Sequence, residues 1–249
     1  FVVIDEDAVS FNLELVAYHL DDVKATLLQK TQQVVDFLLA NANVRTVWHL
    51  APFNDLVPVH LLAGGFAAGK FNQLTIRGVH PGDPSTAGEV PAAGAGPIKP
   101  NEAIDIYPAA YRTPGTDVGA DVAAIVNKIA ALNMTDPDIK SIWIEIMARL
   151  LGETIAHEIH HALLGGWPGF VAGHNPPAPF GSPPLIPFDL MNFGNERGWL
   201  QRTAIEILKM ANFPKPGSYR DGGMYAISGV QTGNQTKVDS VFPVPPEFL

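Results

Sequence analysis

The sequence predicts an α+β domain in which a small mixed sheet packs on a long helix and a backing helix, with a further helix late in the chain. Most segments that alternate apolar and polar residues, the pattern of strands, lie in the first 108 residues, and one further possible strand is "GMYAISGV" in the tail. A long segment with helical apolar spacing follows Asp136, and a second amphipathic segment covers 195–211. We therefore expect one domain over 1–249. Its helix-and-sheet part is 1–135, and 136–249 holds the long helix, a loop, the later helix and an irregular tail.

The composition limits the classes of function. With 249 residues and 47% hydrophobic residues, the chain has enough apolar material for a sizeable core. A formal charge of −9 with only 16 Lys and Arg argues against a nucleic-acid partner, because phosphate binding needs clustered cations. No apolar run approaches the ~18 residues of a membrane-spanning helix. There is no cysteine, so a metal would be held by His, Asp or Glu.

Residues with turn propensity separate the predicted elements of the first half. Residues 1–18 predict a strand or extended chain, and Asp21 or Asp22 then caps a helix that runs to about Asn41. Further strands are expected at 43–50, 70–79 and 102–108, a weaker one at 56–62 because it contains Pro58, and a helix at 117–132. The Gly- and Pro-dense residues 80–100 predict a long surface loop, with a substrate-facing flap as the alternative.

The long helix has clear start and stop signals. Asp136 is its predicted cap, Pro137 occupies the first helical position, and apolar residues recur every four positions from Ile139 to Leu163. The glycine pair at 165–166 marks its end, and Gly152 is a position for a bend or a break.

This helix carries "HEIHH" at 157–161. His157 and His161 are four residues apart and therefore project from one helix face, where two imidazoles can hold one Zn²⁺. Glu158 between them can reach a water on the metal and act as general base, which is the logic of the H-E-x-x-H pattern. His160 is also within reach of His157, but the four-residue spacing fits better. The alternative is a hydrogen-bonded polar seam without a metal.

The motif "HEIHH", together with the order helix, strands, motif helix and later helix, resembles the zincin metallopeptidases. The resemblance covers 21–211 in layout and only the neighbourhood of the motif in sequence. It implies a zincin-like fold and a zinc-dependent peptidase that acts on a peptide or protein substrate. It also implies a sheet edge that pairs with extended substrate, for which "EAIDIYP" at 102–108 is the candidate.

A catalytic zinc usually has three protein ligands and one water, so a third ligand is expected. The metzincin branch would place glycine and histidine where this chain has Leu164 and Trp167, so that pattern fails. Met191 in "DLMNF" is either the methionine turn of that branch or a core residue. Asn195-Glu196 resembles the pair that opens the third-ligand helix of the glutamate-type (gluzincin) branch. We therefore expect Glu196 as the third ligand.

Other ligands and supporting residues stay open at this level. His174 is the runner-up for the third ligand, and Asp189 follows it. The glutamate branch has an aspartate where this chain has Leu200, so the partner that orients a ligating histidine is unassigned, with Glu153 and Asp189 as candidates. The candidate groups for stabilising the transition state are Tyr219, Tyr225, Arg197 and His174.

The function expected from this reasoning is hydrolysis of peptide bonds with zinc as cofactor, Glu158 as general base, and His157, His161 and Glu196 as metal ligands. One alternative is a metal-stabilised binding or structural domain without catalysis, and another is a toxin or effector module with the same zinc site. The net charge mildly favours basic or neutral substrates. The expected location is secreted or extracellular, with the cytoplasm as the alternative, and the sequence gives no indication of the oligomeric state.

Overall fold

The computed structural model describes residues 2–39, 46–50, 53–54, 72–90, 103–132, 134–164, 174 and 190–204. Its strands are β1 (Val2–Glu6), β2 (Thr46–Leu50), β3 (Phe53–Asn54), β4 (Asn72–Ile76), β5 (Gly88–Glu89) and β6 (Ala103–Ile106). Its α-helices are α1 (Ala8–Ala17), α2 (Lys24–Leu39), α3 (Ala120–Ala130), α4 (Pro137–Leu164) and α5 (Trp199–Thr203). Short 3-10 turns cover Asp21–Val23, Pro108–Arg112 and Gly194–Glu196. The mixed α+β class expected from the sequence is confirmed.

The described strands form one six-stranded sheet in the order β3-β2-β1-β4-β6-β5. β2, β1, β4 and β6 run parallel, and the two outer strands are antiparallel to their neighbours. Strand β6 was expected to be the free edge, and this is wrong, because β5 pairs with its outer side. Strand β5 lies inside the segment 80–100 that was expected to be a loop, since a two-residue strand leaves no alternating pattern in the sequence.

One face of the sheet supports the core. Alternate residues of the parallel strands are fully buried on that face, among them Ile4, Leu74 and Ile104 in neighbouring register. The opposite face carries the polar row Asp5, Thr75, Asp105 and Glu89 in the same register. Helix α4 packs against α2 and against β5 and β6, which brings the motif helix to the antiparallel edge of the sheet.

Residues 8–17 form helix α1 and are not extended, which corrects the expectation for 1–18 beyond the first strand. The Asp7 side chain accepts a hydrogen bond from the Ser10 amide and caps the helix. Phe11 and Leu15, four residues apart, are its buried residues. The segment "FNLEL" therefore satisfies both a strand pattern and a helix pattern, and burial of the helical pair decides between them.

Helix α4 is continuous over 28 residues, so Gly152 neither breaks nor ends it. The Asp136 carboxylate accepts hydrogen bonds from the amides of Asp138 and Ile139, as its predicted cap role requires. A Cβ at Gly152 would lie 2.5 Å from Cγ1 of Val34 and 3.2 Å from the Thr31 carbonyl oxygen. Glycine is thus needed for the close approach of α2.

The remaining predicted elements are placed in part. Helices α2 and α3 and strands β2, β4 and β6 match the expected segments. The predicted helix 195–211 is replaced in its described part by the 3-10 turn Gly194–Glu196 and the short helix α5. The predicted strand 56–62 and the whole tail 212–249 fall outside the described residues, as do Asp189, Tyr219 and Tyr225. Among the described helices, none combines the length and the apolar character needed to cross a membrane.

Candidate metal centre

Three histidine nitrogens converge at the C-terminal part of α4. The Nε2 atom of His157 lies 3.0 Å from that of His161 and 3.1 Å from that of His174, and the third side of the triangle measures 3.3 Å. Nitrogen ligands at about 2.0–2.1 Å from a tetrahedral Zn²⁺ would be roughly 3.3–3.4 Å apart. The triangle is therefore close to the spacing that one ion of this size requires.

The helix supplies two of these histidines and a distant segment supplies the third. His157 and His161 are one turn apart on α4, and their rings meet edge to face with centroids 4.5 Å apart. His174 stacks on Phe193, with ring centroids 4.4 Å apart and planes inclined by 21°. Phe193 immediately precedes the 3-10 turn that begins at Gly194, so the later segment holds the third imidazole against the helix.

The Nδ1 atom of His157 lies 2.6 Å from the carbonyl oxygen of Leu190. A carbonyl oxygen can only accept, so Nδ1 carries the proton and Nε2 of the neutral ring presents a lone pair to the triangle. Burial, and then the nearby Arg197, lower the pKa of His157 well below its usual value. The ring is thus kept in the neutral form that binds metals.

The partner that orients His157 is therefore the Leu190 carbonyl. Of the two candidates from the sequence, Asp189 lies outside the described residues, and Glu153 is engaged elsewhere. Met191 follows Leu190 in a buried turn, so the "DLMNF" segment does lie beside the histidine cluster. No side-chain pattern in the sequence marks a backbone carbonyl for this role.

Glu153 is fully buried between two arginines. One of its carboxylate oxygens pairs with Nη1 of Arg197, and the other lies 2.9 Å from Nη1 of Arg202. Arg202 also donates to the carbonyl oxygens of Asp117 and Gly194. This cluster of ion pairs connects α4, one turn before His157, to the 194–203 segment. It therefore helps to hold that segment against α4.

Glu158 is only 6% exposed, and its Oε1 lies 4.0 Å from Nε2 of His157. Burial first, and then the charge of Asp117, raise the pKa of Glu158 to about 8. A Cβ built on Gly88 would lie 2.4 Å from Cγ of Glu158, so edge strand β5 passes directly over this side chain. A larger residue at position 88 would require Glu158 or the strand to shift.

Glu196, the third ligand expected from the sequence, is not part of the converging group. Among the described residues, the group that could hold an ion consists of His157, His161 and His174. Glu196 ends a 3-10 turn, and the helix that follows begins only at Trp199, whose amide is capped by Asp121 from a distant segment. Glu196 is therefore not in the first turn of a helix, where the resemblance places the third ligand. The runner-up, His174, takes the third corner.

A cavity of about 220 Å³ opens beside the histidine triangle. It is bordered by the three histidines, Glu158, Arg197, Asp117 and the 87–90 segment that contains β5. Two of the four candidates for transition-state stabilisation, Arg197 and His174, thus border the cavity, whereas Tyr219 and Tyr225 lie outside the described residues. Sequence reasoning missed Asp117 and Gly88, because neither belongs to a motif.

No family model, curated protein or solved structure matches this chain.

Proposed function

We propose that this protein is a zinc-dependent peptidase with a zincin-like fold, in which His157, His161 and His174 hold the metal and Glu158 is the general base. The observation that carries the proposal is the triangle of Nε2 atoms, with sides of 3.0–3.3 Å, beside a buried glutamate. Three imidazoles suit Zn²⁺, although other first-row ions accept the same donor set. The chain has no cysteine to offer a competing thiolate site.

Each residue of the site has a role in hydrolysis. Zn²⁺, when bound, supplies Lewis-acid chemistry that makes water nucleophilic near neutral pH and polarises a carbonyl. Glu158 accepts a proton from the attacking water and returns it to the leaving amine. Its position one residue after His157 on the helix keeps it beside the metal rather than on it. Arg197, buried and bordering the cavity, is the candidate donor to the oxyanion.

The sheet edge supports the zincin-like assignment. Strand β5 is antiparallel to β6 and passes over Glu158 through Gly88. An outer strand next to the motif helix is the arrangement that the resemblance implies. Among the described strands β5 is the outer one, and an extended peptide could add to its outer side. We therefore assign the pairing with extended substrate to strand β5 (Gly88 and Glu89). The segment "EAIDIYP", which was expected to have this role, contains the inner strand β6.

The main alternative is a metal site that stabilises a non-catalytic domain. Such a site has four protein ligands and no open position. The described residues supply three, and a cavity lies beside them, which favours an open site. A toxin or effector module would share this chemistry and differ in its delivery alone.

The test is Glu158→Gln in the purified, zinc-loaded protein. We expect zinc content to stay at one ion per chain, because the amide is close in shape and Glu158 is not a ligand. Hydrolysis of a fluorogenic peptide mixture should fall by at least about a hundredfold, the usual contribution of a general base. Glu145→Gln, a partly exposed position on the same helix, is the matched control. Full activity in Glu158→Gln would refute the assigned role, and the absence of zinc from the wild type would refute the proposal itself.

A further inference from the structure

Asp117 introduces a negative charge into the cavity beside the metal centre. It belongs to no motif, and it lies in the segment between the 3-10 turn Pro108–Arg112 and helix α3. Its Oδ2 accepts a hydrogen bond of 2.9 Å from the amide of Ala87. The next residue, Gly88, packs on Glu158. The Asp117 carboxylate is thus held at Ala87, directly before the edge-strand residue Gly88. Gly88 in turn packs on Glu158, the proposed general base.

Two further contacts hold the backbone of Asp117 in place. Its carbonyl oxygen accepts a hydrogen bond from Arg202, and its backbone is in such close contact with Gly194 that a Cβ there would lie 2.2 Å from the Asp117 oxygen. These contacts hold the backbone of Asp117 in place, and the hydrogen bond from the Ala87 amide orients its carboxylate.

Two carboxylates that border the cavity have oxygen atoms that accept no hydrogen bond from a described residue. The hydrogen bonds of the described residues engage only Oδ2 of Asp117, which leaves Oδ1 available. Glu158 is 6% exposed, borders the same cavity, and accepts no hydrogen bond from a described residue. A buried carboxylate without a donor is costly, so the site gains from a group that brings hydrogen-bond donors and positive charge.

Besides the proposed Zn²⁺, the cationic side chain that borders the cavity is that of Arg197, and it is already paired. Arg197 is held by Glu153, and Glu153 also binds Arg202. Glu89 borders the cavity, but its Oε2 lies 3.1 Å from Nε2 of His80. The Nδ1 atom of His80 accepts from the amides of Gly82 and Asp83, so its Nε2 carries the proton that Glu89 accepts. Apart from Glu158, Asp117 is therefore the carboxylate at the cavity that can bind a ligand.

We propose that Asp117 is a specificity-determining residue that binds an ammonium group of the substrate next to the bond that is cleaved. The inference rests on the proposed peptidase function and adds the substrate class, a peptide with a cationic group at this position. At about 220 Å³ the cavity is smaller than a typical ligand pocket of roughly 300–1,000 Å³, so it has room for the end of one residue. The net charge of −9 favours the approach of the same class of substrate.

The ammonium group has two sources, a lysine side chain or the N-terminal amine of a peptide, and three hydroxamates separate them. Nα-acetyl-lysine hydroxamate carries only the side-chain cation, norleucine hydroxamate only the α-ammonium, and Nα-acetyl-norleucine hydroxamate neither. Their dissociation constants are measured by calorimetry on the zinc-loaded wild type and on Asp117→Asn. The asparagine oxygen can still accept from the Ala87 amide, so the fold of the segment is preserved.

We expect one of the two cationic compounds to bind the wild type roughly 10- to 100-fold more tightly than the neutral one, as for a hydrogen bond to a charged group. Asp117→Asn should abolish this difference without changing the affinity for the neutral compound, and Asp117→Glu should retain part of it. Asp138→Asn, the same change at an exposed position, should leave all three affinities unchanged.

Equal binding of the three compounds by the wild type would overturn the inference and leave the peptidase proposal intact. An equal loss for all three in Asp117→Asn, or a loss of preference in Asp138→Asn, would also overturn it. Failure of the neutral hydroxamate to bind any zinc-loaded protein would instead refute an open zinc site, and both proposals would then fall.

Discussion

The imidazole of His157 and the carbonyl of Leu190 are joined by a 2.6 Å hydrogen bond that connects the motif helix to the later segment of the chain. This bond fixes the tautomer of His157, and the same later segment presents Phe193, on which His174 stacks. The candidate metal centre is therefore assembled by two parts of the chain that lie far apart in sequence. Metal binding and the docking of the 190–204 segment should depend on each other.

Replacement of His174 should abolish stoichiometric metal binding, whereas replacement of Glu196 should not. His174 supplies one corner of the Nε2 triangle, and Glu196 lies outside it. Loss of one of three ligands should weaken zinc affinity by at least about a hundredfold, more than the 10–100-fold loss typical of outer partners. The measurement is zinc content by elemental analysis after dialysis of wild type, His174→Ala and Glu196→Ala. Zinc retained in His174→Ala and lost in Glu196→Ala would reverse the assignment.

Removal of the metal should also lower the stability of the protein. A ligand that binds only the folded state stabilises it by about 2.7 kcal/mol when its concentration is a hundred times Kd. A chelator should therefore lower the midpoint of thermal unfolding of the wild type by several degrees, and added Zn²⁺ should restore it. His174→Ala should show no such response, whereas an equal shift in both proteins would place the metal elsewhere.

The local sequence pattern was sufficient to predict the helices and strands whose buried apolar residues follow one regular spacing. Helices α2, α3 and α4 follow the expected segments, since caps such as Asp136 and the four-residue apolar spacing are both local signals. Helix α1 was misread because "FNLEL" satisfies two periods. Strand β5 was missed because two residues in a Gly- and Pro-rich segment form a strand only where β6 offers a partner.

The site was predictable where it lies within one helix and not where it depends on distant contacts. His157, Glu158 and His161 share a helical turn, so their spacing alone brings them together. The choice between Glu196 and His174 depends on how the 190–204 segment returns to α4. That return is determined by contacts such as Glu153 with Arg197 and Asp121 with the Trp199 amide, which connect residues 44 and 78 positions apart. No local pattern encodes them.

Gly88→Ala should impair catalysis without removing the metal. The new methyl group would lie 2.4 Å from Cγ of Glu158, so either the general base or the edge strand must move. Because the three histidines are untouched, zinc content should stay at one ion per chain while turnover falls by at least about tenfold, as expected for a misplaced catalytic group. Gly82→Ala, on the exposed loop before β5, is the control. Unchanged turnover in Gly88→Ala would show that β5 does not constrain Glu158.

Glu153→Gln should destabilise the fold strongly. The carboxylate is fully buried between Arg197 and Arg202, and its neutralisation leaves two buried guanidinium groups without their shared counterion. Breaking a buried ion pair in this way costs about 3–5 kcal/mol, whereas an exposed pair contributes about 0–1 kcal/mol. The free energy of unfolding in urea should show this difference between Glu153→Gln and Glu145→Gln, whose partner Lys30 is partly exposed. Equal effects would mean that the buried cluster is not what holds the later segment to α4.

Gly152→Ala should also destabilise the protein, although alanine is the better helix former by about 1 kcal/mol. The added methyl group would lie 2.5 Å from Cγ1 of Val34 and 3.2 Å from the Thr31 carbonyl oxygen. Overpacking of this kind costs about 1–3 kcal/mol, because α2 must retreat from α4. The double variant Gly152→Ala/Val34→Ala removes the side chain that clashes, so its loss of unfolding free energy should be smaller than the sum of the losses in the two single variants. Simple additivity in urea unfolding would show that the contact between α2 and α4 at Gly152 is not limiting.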